Sequence, residues 1–159
     1  MYRLYSKAMY NICLRMTANE MDAEDVLQMS FVDVFTKMDS FRFESTIGAW
    51  IKRIVINNCI NHIKRRKLRF EALTEGYNDL EDDNASFDAD IDPREVQKVM
   101  DAISQLPDGY RVVFTLYTME GYDHQEIADI LQISEATSKS QYSRARKKLR
   151  QMITGVTEE

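Results

Sequence analysis

Apolar positions in residues 1–38 recur with the period of a helix. Leu4, Ala8, Ile12 and Met16 stand four apart, and Tyr5, Met9 and Cys13 broaden the stripe, so the chain opens as a helix buried on one side. Asn19 to Asp22 interrupts the pattern. Asp22 and Asp25 then open a second helix, where carboxylates meet the positive end of the helix dipole, and Val26, Met29, Phe31, Val34, Phe35 and Met38 give it an apolar surface. Phe41 to Ala49 reads as a loop with Ser45 and Thr46 both available as caps, leading into a third helix from Trp50 to Lys67. The periodicity lapses over residues 68–93 and returns at Pro93, which suits a first helical turn because it has no N–H to leave unpaired. Val96, Val99, Met100, Ile103 and Leu106 form the buried stripe that follows. Leu106-Pro107 closes this helix, a further one passes through Tyr110, Val113, Phe114 and Tyr117, and Gly121 ends it. Tyr122 to Arg150 is two helices and a tight turn: Ile127, Ala128, Ile130 and Leu131 face inward, and Ser134 caps a second helix from Glu135.

The pattern predicts an all-α chain of two small helical domains, residues 1–67 and 94–159, joined by a flexible linker at 68–93. The second domain is a four-helix bundle ending in a helix-turn-helix. The linker carries few apolar side chains among many charges, so it has little to bury. Asp88, Asp90 and Asp92 alternate as in a calcium loop, but Pro93 stands where such a loop needs glycine and Val99 where it needs a carboxylate, which excludes that reading.

The formal net charge of −5 argues against a nucleic-acid binder until it is divided along the chain. Residues 1–70 carry 12 Lys and Arg against 7 Asp and Glu, residues 71–101 carry 2 against 11, and residues 102–159 carry 7 against 8. The acidity is concentrated in the middle, and basic clusters stand at Lys64 to Arg69 and Lys139 to Arg150 as candidate phosphate-facing patches. Cys13 and Cys59 are too few and too far apart for a disulfide framework or a zinc site and are expected as core thiols. No apolar run reaches bilayer length and no signal-peptide pattern opens the chain, so a soluble cytoplasmic protein without membrane insertion is expected.

Two helix faces carry chemistry suited to nucleic acid. At 100° per residue Trp50, Arg53, Asn57, Asn61 and Lys64 share an arc of about 80° on the third helix. Amides read base edges, cations neutralise phosphate, and an aromatic ring stacks on an unpaired base, although Trp50 is equally well read as a core ring. On the last helix Ser138, Tyr142, Ala145 and Leu149 cluster on one side, while Ser140, Ser143, Arg144 and Lys147 fall opposite, so one face packs and the other is free for a major groove. On the second helix Asp25 and Gln28 occupy the side that need not be buried and are candidate partner contacts. No catalytic constellation, metal site or cofactor site is expected.

Taken together, these stretches resemble bacterial RNA polymerase sigma factors, specifically the small two-domain extracytoplasmic-function group. Asp22-Ala23-Glu24-Asp25-Val26-Leu27-Gln28 resembles the family's segment that docks on core polymerase, and Asp25 and Gln28 are the implied contacts. Phe41 to Trp50, then Arg53, Asn57 and the run Lys64-Arg65-Arg66-Lys67, resemble its promoter-melting and minus-10-reading region, with Phe43, Trp50, Arg53, Asn57 and Lys64 as implied DNA contacts. Leu106-Pro107, Tyr110-Arg111, Glu120-Gly121-Tyr122, Glu126-Ile127-Ala128 and Ser143-Arg144-Ala145-Arg146 resemble the minus-35-reading domain. Its implied contacts are Thr137, Lys139, Ser140, Ser143, Arg144 and Lys147. The resemblance implies promoter-directed transcription initiation with core RNA polymerase and promoter DNA as partners, an anti-sigma factor as a further partner, and an acidic tether threading a basic polymerase channel. Primary sigma factors carry aromatics where this chain has Ile47 and Gly48, which implies low melting power of its own. Phe43 stands where many members have glycine, and in the recognition helix Ser138 and Gln141 replace a common valine and arginine. Two other classes are open to the residues alone. One is a stand-alone helix-turn-helix regulator with an N-terminal dimerisation module, which would bind a palindrome unaided. The other, a nuclease built on the tether carboxylates, lacks a positioned base.

Overall fold

The chain divides into two compact units, residues 1–75 and 76–159. A computed structural model describes residues 2–67 and 93–154; of the expected linker at 68–93, residues 68–92 lie outside the described residues and Pro93 is the first residue of a helix. Among the described residues every regular element is helical.

The first unit is three helices, each packed on the other two: α1 (Tyr2–Thr17), α2 (Glu20–Thr36) and α3 (Ile47–Lys67), with a single 3-10 turn at Met38–Ser40. Met9, Ile12, Cys13 and Met16 from α1 meet Val26, Phe31 and Val34 from α2 and Ile51, Val55, Cys59 and Ile63 from α3, all 5% exposed or less. Fully burying such a side chain stabilises by roughly 1.5–3 kcal/mol before entropy is charged against it. The buried line of α1 runs through Met9 and Cys13 rather than through Leu4 and Ala8. Leu4 is 74% exposed, because the first turn packs through its neighbours instead: the Tyr2 ring stands 4.8 Å from Phe31 of α2, and Tyr5 lies against Gly48 of α3. Asn19, not Asp22, caps α2: its Oδ1 accepts the Asp22 N–H at 3.0 Å, leaving Asp22 inside the first turn. Met29 and Phe35, expected in the core, are exposed. Of the two cap candidates before α3, Thr46 serves, its Oγ1 accepting the Ala49 N–H at 3.2 Å.

The second unit is α4 (Pro93–Ser104), α5 (Asp108–Phe114) continued by a π turn at Thr115–Met119, α6 (His124–Leu131) and α7 (Glu135–Thr154). Ala102, Ile103 and Leu106 pack with Phe114, Ala145 and Leu149 into one core. Val96, expected in this stripe, is 43% exposed, since the first turns of α4 lie outside the contact with α7. Arg111 is 3% exposed, and its guanidinium is satisfied by the Leu106 carbonyl at 2.9 Å and the Asp108 carboxylate. A buried cation without such partners would cost several kcal/mol. Gly121, at φ +77°, releases the chain from the π turn in a conformation that side chains resist.

Candidate nucleic-acid interface

In the second unit α6, a three-residue turn and α7 form a helix-turn-helix. Asp123 caps α6, its Oδ1 accepting the Glu126 N–H at 2.8 Å, and that bond holds the Asp123 carboxyl below its ordinary value. The turn closes on Gln132 in the left-handed region, φ 57° and ψ 48°, with its N–H and that of Ile133 both donating to the Ala128 carbonyl. Ser134 Oγ then accepts the Thr137 N–H at 3.0 Å and starts α7. Ser138, Ala145 and Leu149 are buried, which turns the opposite side of α7 outward as the spacing predicts. Thr137, Lys139 and Lys147 are exposed on it and Ser140, Ser143 and Arg144 half-buried. Thr137 Oγ1 lies 2.7 Å from Ser134 Oγ, and Lys139 Nζ lies 3.5 Å from Glu135 Oε1.

Behind this face is an arrangement not anticipated from the sequence. Ser138 Oγ and His124 Nδ1 are 2.8 Å apart, and the imidazole stacks on Tyr117 at 4.4 Å and meets Tyr142 edge-on at 5.6 Å. Burial, then Lys139, pulls the His124 pKa below 6.5. Ser138 therefore joins α7 to α6 by a polar bond. Gln141 is half-buried, with Oε1 turned into the unit, and so does not stand in for a DNA-facing arginine.

In the first unit the α3 stripe is realised. Asn57, Asn61 and Lys64 are exposed, and Trp50 and Arg53 are half-buried on the side away from Ile51, Val55 and Cys59. Trp50 joins an aromatic cluster, 5.1 Å from Phe41, whose ring is 4.7 Å from that of Phe43. Phe43 is 85% exposed and holds φ +58°, the left-handed region in which glycine sits most easily. Gly48 lies under Tyr5: a Cβ there would stand 3.2 Å from Tyr5 Cε1, so an aromatic would displace α1 side chains. The basic run is split. Lys64 and Arg65 are exposed, whereas Arg66 turns inward, donating to Asp22 Oδ2 at 2.7 Å and to the Thr17 carbonyl at 3.4 Å, with His62 Nε2 3.3 Å from Asp22 Oδ1. Arg66 is thus a clasp between helices, not a phosphate contact. Asn58, beside Asn57, is likewise internal, donating to Asp33 Oδ2 at 2.9 Å and Ser30 Oγ at 3.1 Å.

On α2, Asp25 and Gln28 are exposed as expected, and they are not alone. Met21, Val32 and Phe35, at 76%, 64% and 55% exposure, share with them an arc of about 80° at 100° per residue. The result is a mixed ridge of three apolar side chains, a carboxylate and an amide.

The fold and these surfaces are those of a helical DNA-binding protein with a helix-turn-helix reader. Residues 1–69 match the family Sigma-70 region 2, and residues 96–149 match the family Sigma-70, region 4. Among curated relatives, the ECF RNA polymerase sigma factor SigW of Bacillus subtilis (strain 168) is 29% identical over 159 residues, covering 94% of this chain and 85% of the relative. The RNA polymerase sigma factor SigZ of the same organism is 30% identical over 135 residues, covering 83% and 73%. Two solved structures share the fold. The sigma factor RpoE in complex with the anti-sigma factor NepR from Bartonella quintana gives a TM-score of 0.64 at 23% identity over 99% of this chain and 96% of that one. CnrH in complex with the cytosolic domain of CnrY gives 0.57 at 22% over 98% and 86%. The chain belongs to the extracytoplasmic-function group of bacterial RNA polymerase sigma factors, which direct the polymerase to promoters for transcription initiation. Sigma-70 region 2 occupies the segment that a stand-alone regulator would use for dimerisation, and that alternative is set aside.

Proposed function

We propose that the work of this sigma subunit is divided among three exposed faces. The α2 ridge, with Asp25 and Gln28 flanked by Met21, Val32 and Phe35, binds core polymerase. The α3 stripe of Trp50, Arg53, Asn57 and Lys64, with Phe43 on the preceding loop, takes the minus-10 element and a base extruded from the opening duplex. The outward side of α7, from Thr137, Lys139 and Ser140 to Ser143, Arg144 and Lys147, enters the major groove of the minus-35 element. Residues 1–67 and 94–159 are the two promoter-binding domains, and residues 68–93 tether them.

The observation that carries this reading is the α2 ridge. Three large apolar side chains more than half exposed on one helix face are an unsatisfied hydrophobic surface, and they are interleaved with the two polar residues expected to touch polymerase. Covering such a surface is what a partner interface does. The α3 stripe supplies what base capture needs, a ring to stack on and amides for base edges, against the few kcal/mol that unstacking costs. Of the two solved structures, RpoE is bound by the anti-sigma factor NepR and CnrH by the cytosolic domain of CnrY. The same ridge and stripe are the faces on which an anti-sigma factor would hold this chain inactive.

Run-off transcription with core polymerase tests the assignment. Asp25→Ala with Gln28→Ala, and separately Val32→Glu, lower polymerase capture at least several-fold while the helical circular dichroism is kept. Normal capture by both variants sinks the docking face.

A further inference from the structure

We propose that Glu135 and Lys139 act together as one base-pair reader in the minus-35 element, and that the pair they select is C·G, with cytosine facing the carboxylate. The proposal rests on the placement of α7 in the major groove and adds the identity of the base pair read there.

The N-terminal residues of a recognition helix are those that reach base edges, and in α7 few of them carry a long polar side chain. Ala136 has no polar side-chain atom. The Thr137 hydroxyl is held by Ser134 at 2.7 Å, and Ser138 faces inward onto His124. Ser140 is half-buried, and a serine hydroxyl, both donor and acceptor, discriminates little. Glu135 and Lys139 are left as the long polar side chains of this turn, 54% and 60% exposed, with carboxylate and ammonium 3.5 Å apart.

A carboxylate in a groove walled by phosphates is repelled unless something compensates it. Lys139 does so from the same helix face. An exposed pair of this kind adds little to stability, so both groups exchange partners at small cost. Chemically the pair is an acceptor beside a donor. The major-groove edge of C·G offers the complement: the cytosine N4 amine donates, and guanine O6 and N7 accept, which matches the known preferences of carboxylates and lysines.

The test uses holoenzyme assembled from core polymerase and the full chain, selecting from a promoter library randomised across the minus-35 element. Wild type enriches C·G at one position by about tenfold over the other pairs. Glu135→Gln, whose amide suits adenine, moves that same position toward A·T, and Lys139→Ala flattens it. Uniformly tighter binding by Glu135→Gln with an unchanged base profile overturns the proposal and reduces Glu135 to a repelling charge. Effects of the two variants at unrelated positions also overturn it. An enriched motif indifferent to both variants defeats this proposal alone, whereas no enrichment by wild type in that window defeats the groove placement of α7 itself.

Discussion

Phe43 sets backbone strain against function in a way that two substitutions can separate. At φ +58° it sits where an L-residue costs about 1 kcal/mol or somewhat more relative to glycine. Its ring is 85% exposed, so burial returns little, and the contact with Phe41 at 4.7 Å returns about 0.5 kcal/mol, the low end for an aromatic pair. Phe43→Gly removes both effects and is therefore neutral to stabilising by about 0.5 kcal/mol. Phe43→Ala keeps the strain and loses the contact, destabilising by about 0.5 kcal/mol. The gap between the variants is about 1 kcal/mol, a difference of roughly 4–8 °C in the melting midpoint of a domain this small. Thermal unfolding of the full chain followed by circular dichroism reads it. In parallel, permanganate reactivity of unpaired thymines in the holoenzyme–promoter complex reports opening, and both variants lower it although one is no less stable than wild type. An alanine variant as stable as the glycine variant refutes the left-handed conformation. Undiminished opening in both refutes the role given to the ring.

Arg66→Ala and Asp22→Ala each lower the stability of the first unit by roughly 1 kcal/mol in urea titration, since both partners are partly exposed. Lys64→Ala leaves stability alone and reduces the salt dependence of holoenzyme–promoter binding by about one unit of slope; the reverse assignment of effects would show that Arg66, not Lys64, meets phosphate. Because His124 has its pKa lowered in the fold, the unfolded chain binds the extra proton first. Its contribution is intact above the ordinary value of 6.5 and falls as pH drops below it toward the folded pKa. Melting of the second unit therefore moves down over that window, and His124→Gln flattens the dependence. Gln132→Gly stabilises the helix-turn-helix by about 0.5–1 kcal/mol, read from the same melts, because glycine takes the left-handed turn without strain.

Helix placement was legible along the described chain because burial imposes a period that composition cannot hide. The packed side of α7 is a clear case, with Ser138, Ala145 and Leu149 all falling inward as spacing required. Side-chain partnerships were less legible. Arg66 reads as one more cation in a basic run, yet at 100° per residue it lies in the middle of the buried arc of α3 with Val55 and Cys59, a signal present in the sequence but masked by the charge of its neighbours. Leu4, Met29 and Phe35 err in the other direction. An apolar side chain is read as core unless the packing partner that fails to cover it is known.

The sequence by itself determined the all-helical class, the placement of a helix-turn-helix at the end of the chain, and the residue types on the exposed faces of α2, α3 and α7. These follow from short-range periodicity and local caps. The tertiary structure alone decided which apolar residues of α2 remain uncovered beside Asp25 and Gln28. It also decided that Asp22 is taken by Arg66, that Ser138 bonds to His124, and that Phe43 and Gln132 occupy left-handed backbone without glycine. The physical reason is that each of these depends on where a second helix or a turn places its atoms, over distances that no repeat in one segment encodes.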